Sequence, residues 1–303
     1  MSNSGVQCHD QIESLLKGDY FGQEFPDSIP EVFAPGIISI SGCSDFICSI
    51  HSSMELIVWT SGDGRDFGKI INRKYKRLFC MKRVNNIWGS PQQLLLSQEF
   101  SEEEGIFSCD GTRLYYSSNR PNLDDTDLWY VEISQDDWKQ PQKLEIPYMP
   151  EGRQIYVTTT NDGTLYFNSR KTKGDDKGYY IYRSKKMDEK FSKPELLMRG
   201  SHPFISPDES FILLNTFMKD NGYGESDIYI CFKLENGTFT KPINMGGEIN
   251  TKFHEACPTL SPDGKYIFFS RYDEPNENCN VYWVSSRIIE KTEREYKKNE
   301  KNK

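Results

Sequence analysis

The sequence has no apolar run near the roughly 18 residues that a membrane-spanning helix needs, so it predicts no transmembrane segment. Its N-terminus has neither a basic stretch nor an apolar core, and we therefore expect no secretory signal. The net charge is −8, from 37 Lys and Arg against 45 Asp and Glu in 303 residues. Nucleic acids and anionic membranes bind clustered positive charge, so we expect neither as a partner.

None of the eight cysteines forms a Cys-x-x-Cys pair, the spacing that zinc ribbons and thioredoxin-type sites need. An even number of cysteines would also allow four disulfides. Because no exporting signal is recognised, we expect reduced thiols in a cytoplasmic protein, several of them at core positions. We do not expect a disordered chain, since its 18 Phe, 17 Tyr and 5 Trp supply much surface for burial.

One short element recurs along the chain, a turn followed by an apolar strand. Its copies occupy residues 51–60, 108–118, 160–169, 206–215 and 261–270. Asp-Gly or Pro-Asp-Gly builds a tight hairpin turn. The aromatic and β-branched run that follows is typical of a strand buried on both faces. The copies are 46 to 57 residues apart, which fits a four-stranded propeller blade.

Two further elements follow each of these strands. The first is another apolar strand, beginning at Arg77, Asp127, Gly178, Asp227 and Asn280. The second is an aromatic-x-x-Pro motif, beginning at Trp88, Trp138, Phe191 and Phe239. Proline has no N–H to donate and is confined to sheet edges, so this motif predicts an outermost strand.

The last repeat lacks this outer element, and residues 30–40 hold an aromatic, a proline and a β-branched run. We expect residues 30–40 to supply the outer strand of the last blade and to close the ring. The predicted fold is all-β, a single β-propeller of four-stranded blades over residues 30–289. Five blades are favoured, and six are possible if a divergent blade lies within residues 40–98. Residues 1–29 form a lead with a short helix at 10–20, and residues 290–303 form a charged, frayed or helical tail.

The string Ser-Pro-Asp-Gly-Lys-Tyr-Ile-Phe-Phe-Ser-Arg at 261–271, followed by Asn-Val-Tyr-Trp-Val at 280–284, resembles the WD40-like propeller repeat of the TolB-type family. Residues 20–24 and 30–36 also resemble the N-terminal lead of its stand-alone bacterial members. The resemblance covers roughly residues 18–290. It implies a β-propeller, six-bladed in the best-known member, that commonly serves as a protein-binding platform.

Similar propellers also occur in some sugar lyases and glycosidases, and in peptidases they gate a separate hydrolase domain. This sequence has no room for such a domain and no Gly-x-Ser-x-Gly nucleophile motif. The resemblance is therefore specific for the repeat and implies no activity.

Two loop motifs do not match the ligand sites that they suggest. Residues 63–69 lack the first glycine and the final Ser or Thr of a phosphate loop. Residues 122–127 cluster carboxylates without the alternating spacing of a calcium loop. We expect ion pairs across neighbouring strands between arginines that end second strands and aspartates that begin third strands. These residues are Arg120, Arg170 and Arg271, and Asp127 and Asp227.

The segment before each turn is the predicted innermost strand, whose start faces the central channel. These starts carry the candidate ligand-binding residues Glu103, Glu104, Arg153, His202, His254 and Glu255. Converging imidazoles and carboxylates could hold a divalent metal, with His202 and His254 as candidate ligands, or could serve as acid and base. A polar, water-filled channel mouth is the simpler interpretation.

The leading hypothesis is a non-catalytic, cytoplasmic propeller that binds a protein or a small ligand, possibly a saccharide, at the channel mouth without a required cofactor. The alternative is a carbohydrate-active lyase or hydrolase that uses the channel-mouth histidines and carboxylates, possibly with a metal. Convergence of both histidines and a carboxylate would favour the enzyme. A contiguous exposed aromatic patch on one rim would favour a scaffold.

Overall fold

The computed structural model describes residues 16–62, 76–97, 99–120, 125–134, 137–171, 176–218, 220–272 and 279–302. Across these ranges the chain is built almost wholly of antiparallel β-strands, followed by an α-helix. The phosphate-loop-like motif at 63–69 lies outside the described residues. So do most of the predicted helix at 10–20 and the first residues of the acidic motif at 122–127.

The first group of strands follows a short N-terminal strand, β1 (Glu31–Val32). The group consists of β2 (Ser44–Ile50), β3 (Leu56–Gly62), β4 (Arg77–Val84), β5 (Ile87–Trp88) and β6 (Gln92–Gln93). Strands β2, β3 and β4 form an antiparallel meander, and both short strands pair with β4.

Three further groups repeat this order of strands. The second consists of β7 (Glu102–Phe107), β8 (Arg113–Ser118), β9 (Asp127–Ser134), β10 (Asp137–Trp138) and β11 (Gln142–Lys143). The third consists of β12 (Gln154–Thr159), β13 (Leu165–Lys171), β14 (Gly178–Ser184), the hairpin of β15 (Lys186–Met187) and β16 (Lys190–Phe191), and β17 (Glu195–Arg199). The fourth consists of β18 (Ser201–Ile205), β19 (Phe211–Thr216), β20 (Asp227–Phe232) and β21 (Ile243–Asn244). The predicted innermost, second and third strands are confirmed in each group.

The last group consists of β22 (His254–Leu260), β23 (Tyr266–Tyr272) and β24 (Cys279–Ser285). Strand β1 pairs antiparallel with β24, with Glu31 opposite Trp283. The N-terminal segment therefore supplies the outermost strand of this group, within the predicted residues 30–40. A parallel pair, Ser44 with Cys279, also joins β24 to β2.

The turn before each second strand depends on an aspartate and on the residue after it. The carboxylate accepts a backbone N–H two residues later, as Asp110 does from Thr112 at 3.0 Å. The residue after the aspartate has left-handed backbone, which glycine adopts without strain. It is Gly111, Gly163, Gly264 and, in the fourth group, Glu209 at a φ of 61°. The turn chemistry predicted from the repeat is confirmed.

A β-bulge interrupts each innermost strand and places one residue in left-handed backbone. These bulge residues have φ between 48° and 62°; they are Ile47, Glu104, Tyr156, His202 and Cys257. The backbone N–H of each donates to a polar side chain on the second strand of the preceding group, at 2.9 to 3.3 Å. In the same order, the acceptors are Ser270, Thr60, Ser117, Asn168 and Asn215.

Apolar side chains fill the space between successive groups. Tyr166 of the third group and Leu214 of the fourth, for example, belong to one buried cluster. Trp59 of the first group belongs to the same cluster as Phe268 and Trp283 of the last group. The last group is therefore packed against the first.

Residues of the predicted N-terminal lead also enter this last cluster. Tyr20 and Phe21 are buried, within and beside a single 3-10 turn at Asp19–Gly22. The ring centroid of Phe33 lies 4.9 Å from that of Phe268 and 5.1 Å from that of Trp283. The lead thus covers the outer part of the last group with aromatic surface. The boundary predicted at residues 29 and 30 stays a prediction.

The C-terminal segment forms helix α1 (Arg287–Lys301). The prediction allowed a frayed or helical tail from residue 290, and the helix begins slightly before that position. Ile288 and Thr292 are buried, and the ring of Tyr296 lies 6.4 Å from that of Phe232. These positions recur every fourth residue, so one face of a highly charged helix packs on the fourth group. No helix of the described ranges is long and apolar enough to cross a membrane.

Several cysteines fill core positions, as predicted. Cys48, Cys80 and Cys231 are buried as free thiols. Burial raises the pKa of Cys80 to about 11 and that of Cys231 to about 12. These sulfurs therefore behave as small apolar side chains, and the predicted cytoplasmic location stays a prediction.

Candidate functional site

The starts of the innermost strands surround a cavity of about 540 Å³. Aromatic side chains of Phe46, Tyr179 and Tyr272 form part of its wall. Five of the six predicted ligand-binding residues also line it: Glu103, Glu104, Arg153, His202 and His254. The structure therefore brings these residues together at one end of the channel.

Glu255, the sixth predicted residue, is not exposed to this cavity. Its carboxylate is fully buried and accepts hydrogen bonds from Arg271 Nε at 2.8 Å and Thr251 Oγ1 at 2.6 Å. Neighbouring side chains on a strand point to opposite faces, so His254 lines the cavity and Glu255 faces away from it. The placement of Glu255 at the channel mouth was therefore wrong.

The predicted Arg–Asp ties are wrong as well, because the arginines bind carboxylates of the innermost strand. Arg120 Nη2 lies 2.7 Å from Glu102 Oε1, and the guanidinium stacks at 4.4 Å on the ring of Trp129. Arg271 binds Glu255 in the same way and stacks at 4.4 Å on Tyr282. Antiparallel pairing puts the end of the second strand opposite the start of the first, within reach of these carboxylates.

The aspartates at the start of the third strands have other partners. Asp127 pairs with Lys143 at 2.5 Å. Asp227 accepts the backbone N–H of Tyr223 at 2.7 Å and the amide of Asn244 at 2.9 Å. Both aspartates therefore hold loops and outer strands in place.

Glu102 leads to a prediction about pH dependence. Burial outweighs the charges of Arg120 and Arg77 and raises the pKa of this carboxyl to about 7. A native-state pKa above the unfolded value means that the folded protein binds the proton more tightly, so this contribution is lost as pH rises from about 4.5 through 7. We expect the stability of Glu102→Gln to fall less than that of the wild type between pH 5 and pH 8, by on the order of 2 kcal/mol.

Urea denaturation at several pH values measures this difference. Glu132→Gln is the matched control, because Glu132 also pairs with an arginine but has a partly exposed side chain. Its pH dependence should run parallel to that of the wild type. Parallel curves for Glu102→Gln and the wild type would contradict the prediction.

At the cavity wall, one carboxylate lies between two cations. Glu103 Oε1 lies 2.7 Å from Arg153 Nη2, and Glu103 Oε2 accepts a hydrogen bond from Lys76. The Glu103 side chain is largely buried, whereas those of Arg153 and Lys76 are partly exposed. This triad leaves one net positive charge at the wall.

The floor of the cavity contains the most extensive hydrogen-bond network of the candidate site. His202 Nδ1 lies 2.8 Å from Asn215 Oδ1, and His202 Nε2 lies 3.3 Å from Glu104 Oε1. Ser117 donates to the other carboxylate oxygen of Glu104 at 3.0 Å. The ring of Tyr156 meets the imidazole edge-on at 5.1 Å.

The network defines the protonation state of His202. Asn215 donates its amide N–H to Ser226 and accepts the backbone N–H of Cys257, so its Oδ1 faces the imidazole and Nδ1 must donate. Nε2 faces a carboxylate oxygen and donates as well. Both ring nitrogens therefore carry protons, which makes the side chain an imidazolium.

The pKa shifts of this pair agree with that assignment. Burial alone would lower the pKa of His202, but the neighbouring Cys257 and Glu104 raise it well above the ordinary value. Burial alone would raise the pKa of Glu104, but His202, Arg153 and Lys76 hold it below its ordinary value. The floor thus contains a charged pair.

The second predicted histidine behaves differently. Burial and the nearby His202 charge lower the pKa of His254, so its imidazole is neutral at neutral pH. In the part of the chain that the structure describes, no three His, Cys, Asp or Glu side chains are grouped closely enough to hold a metal ion. A metal at His202 and His254 stays a prediction that this geometry does not support.

Sequence reasoning missed Asn215, Tyr156 and Cys257. A signal for the asparagine was present, because a small polar residue ends the apolar run of every second strand. These residues are Thr60, Ser117, Asn168, Asn215 and Ser270. They are the acceptors for the bulge residues, and only the side chain of Asn215 is long enough, and suitably placed, to reach His202 as well.

No protein-family model matches this sequence, and no curated protein matches it either. Solved structures do match. The structure of putative TolB from Agrobacterium tumefaciens has a TM-score of 0.52 and 13% identity, over 80% of this chain and 76% of that chain. The fold is that of a β-propeller. At this identity the likeness shows the fold alone, in agreement with the resemblance noted in the repeat.

Other propellers match with lower TM-scores. TolB from Acinetobacter baumannii has a TM-score of 0.47 and 13% identity, over 80% of this chain and 52% of that chain. The chain thus spans about half the length of that protein. A gluconolactonase from Xanthomonas campestris has a TM-score of 0.49 and 10% identity, over 86% of this chain and 97% of that chain. These structures assign no activity to this propeller.

Proposed function

We propose that this chain is a five-bladed β-propeller that binds a small polar ligand, of the class of a short saccharide, in the channel-mouth cavity. The proposal assigns no catalysis to the site. The observation that carries it is the cavity itself, in which charges of both signs and aromatic rings surround a space of about 540 Å³. A protein partner on the same rim is the other form of this hypothesis.

The bulge residues support five blades. The backbone N–H of Glu104, Tyr156, His202 and Cys257 each bonds to the group before it along the chain. Ile47, in the first group, bonds instead to Ser270 in the last group. The series therefore returns to its start after five members. Pairing of β1 with β24 supports closure of the ring by the N-terminal strand.

The balance of charges supports an uncharged or zwitterionic polar ligand. The cations Lys76, Arg153, Arg199 and His202 face the anions Glu103, Glu104 and Glu225 around the cavity. These groups donate and accept hydrogen bonds, whereas Tyr179 and Tyr272 offer ring surface. A sugar has hydroxyls for the first set and an apolar ring face for the second, which is the usual composition of a small-ligand pocket.

The state of His202 favours binding over catalysis. A general base needs a nitrogen that can accept a proton, and both ring nitrogens of His202 donate within the network. The alternative of a lyase or hydrolase would depend on His254 as its base. No described contact of His254 fixes it for that role, so the enzyme stays the less supported hypothesis.

Arg153 offers the test of this proposal. We expect at least one sugar from a panel of neutral disaccharides, amino sugars and uronic acids to bind, as measured by calorimetry. A hundredfold excess over the dissociation constant should stabilise the fold by about 2.7 kcal/mol. Arg153→Ala should weaken binding at least tenfold, because it removes a donor at the wall while Lys76 still pairs with Glu103.

Arg113→Ala is the matched control, since Arg113 is a partly exposed arginine paired with Glu132 outside this cavity. Its affinity for the sugar should equal that of the wild type. Equal weakening by both substitutions would place the ligand elsewhere. A panel without any binder would end the saccharide proposal and leave capture of a protein partner as the next hypothesis.

A further inference from the structure

Cys257 is the bulge residue of β22, and its side chain lines the channel-mouth cavity. Its neighbours in the fold are unlike those of the other buried thiols. Cys80, for example, is packed among Val58, Leu78 and Leu94 in an apolar cluster. Cys257 has apolar neighbours on one side, whereas on the other it faces the cavity and the His202 network.

Several titratable groups surround the sulfur. His202, from β18, interacts with the Cys257 side chain, and Asn215 joins the two residues by accepting both His202 Nδ1–H and the Cys257 backbone N–H. Tyr156 and Tyr272, from β12 and β23, also interact with Cys257 electrostatically. Burial of these tyrosines raises the pKa of both phenols, so they are neutral.

His202 is therefore the cation next to the sulfur, and it is a permanent one because Asn215 and Glu104 each accept one of its protons. A neighbouring imidazolium favours the thiolate form of a cysteine, and the thiolate is the form that attacks electrophiles. Glu104 lies on the far side of the same imidazole and holds its charge in place.

We propose that Cys257 is a covalent attachment site, at which its sulfur exchanges with a small carboxylate-bearing disulfide that enters through the cavity. The thiolate attacks one sulfur of the disulfide, the S–S bond of the reagent breaks, and a new S–S bond joins Cys257 to one half. The other half leaves as a thiolate, and the thiol proton of Cys257 goes to solvent. No further oxidant is needed, because the disulfide is itself reduced.

The cavity mouth explains the preference for a carboxylate. Lys76 and Arg153 share Glu103 and leave one net positive charge on the path to the sulfur. Arg199, a largely exposed side chain, adds a further cation at the rim. A disulfide that carries a carboxylate is attracted to this path, whereas a neutral one is not. This inference needs the cavity but no saccharide, so it goes beyond the proposed function.

Two small disulfides, 3,3′-dithiodipropionate and bis(2-hydroxyethyl) disulfide, test the proposal on the intact chain. The background variant is Cys8→Ser with Cys109→Ser, which removes two thiols outside the cavity. We expect one equivalent of adduct at pH 7, mapped by mass spectrometry of peptides to Cys257, and at least fivefold faster reaction with the carboxylate reagent. Arg153→Ala should abolish that preference.

Cys257→Ser should slow adduct formation at least tenfold, whereas Cys80→Ser is the matched control and should leave the rate unchanged. The two cysteines are comparably buried, at 6% and 8% exposure. The double variant Glu104→Gln with His202→Gln removes the cation and should slow the reaction at least tenfold. First modification at another cysteine, or an unchanged rate in Cys257→Ser or in the double variant, would overturn the proposal. Peptide mapping on the background protein decides the question even where a substituted variant does not fold.

Discussion

Glu104→Gln is expected to lower the free energy of unfolding by about 3 kcal/mol, one of the two largest effects that the structure predicts. The substitution keeps the shape of the side chain but removes the charge opposite His202. The imidazolium would then be left in a mostly buried site, with 16% of its side chain exposed, or would have to lose its proton. Urea denaturation at pH 7 measures the loss.

The double variant Glu104→Gln with His202→Gln is the control for this result. A pair of neutral amides leaves no uncompensated charge, so at least half of the lost stability should return. Additive losses from the two single substitutions would show that the two side chains do not act as a pair. That outcome would also remove the argument for a permanent imidazolium at the cavity floor.

Phe33→Ala is expected to destabilise the fold by about 3–5 kcal/mol, the cost of deleting a large buried aromatic side chain. Phe33 is fully buried and packs on Phe268 and Trp283 of the last group. It directly follows β1, the strand that pairs with β24. The loss would therefore measure how strongly the N-terminal segment holds the last group. Chemical denaturation gives the value.

Phe25→Ala is the matched control, since this ring belongs to the same N-terminal lead but is 62% exposed. It touches the edge of the same cluster, with its centroid 5.6 Å from that of Tyr266. We expect a loss below about 1 kcal/mol, because most of the ring stays in water in both states. Similar losses in both variants would contradict a specific role for Phe33 in closing the ring.

Local chemistry explains why much of the fold could be predicted. An aspartate followed by glycine specifies a tight turn wherever it occurs, and Asp110 and Gly111 form that turn with their own neighbours. The apolar runs after the turns are long enough to specify buried strands. The motif Trp88-Gly-Ser-Pro91 marks a sheet edge through a single missing N–H. None of these inferences needs the position of a distant residue.

The candidate site depends on distant residues, and there the predictions were less complete. The channel-mouth position of His202 could be inferred from the repeat, but its partner Glu104 is 98 residues away in the chain. Two glutamates on innermost strands were assigned together, yet only Glu104 faces the cavity floor, whereas Glu255 turns to Arg271. A shift of one position on a strand reverses the face, and a bulge changes that count.

The sequence by itself determined the repeat, the order of strands within each group and the turns between them, because these follow from backbone chemistry within a few residues. Only the tertiary structure decided which carboxylate each arginine binds, which face each glutamate takes and that His202 is doubly protonated. Those properties arise where five innermost strands meet, and the charge of one side chain there depends on neighbours from other groups. The helix face at Ile288 and Thr292 is a further case, since its apolar side is defined only by the sheet that it covers.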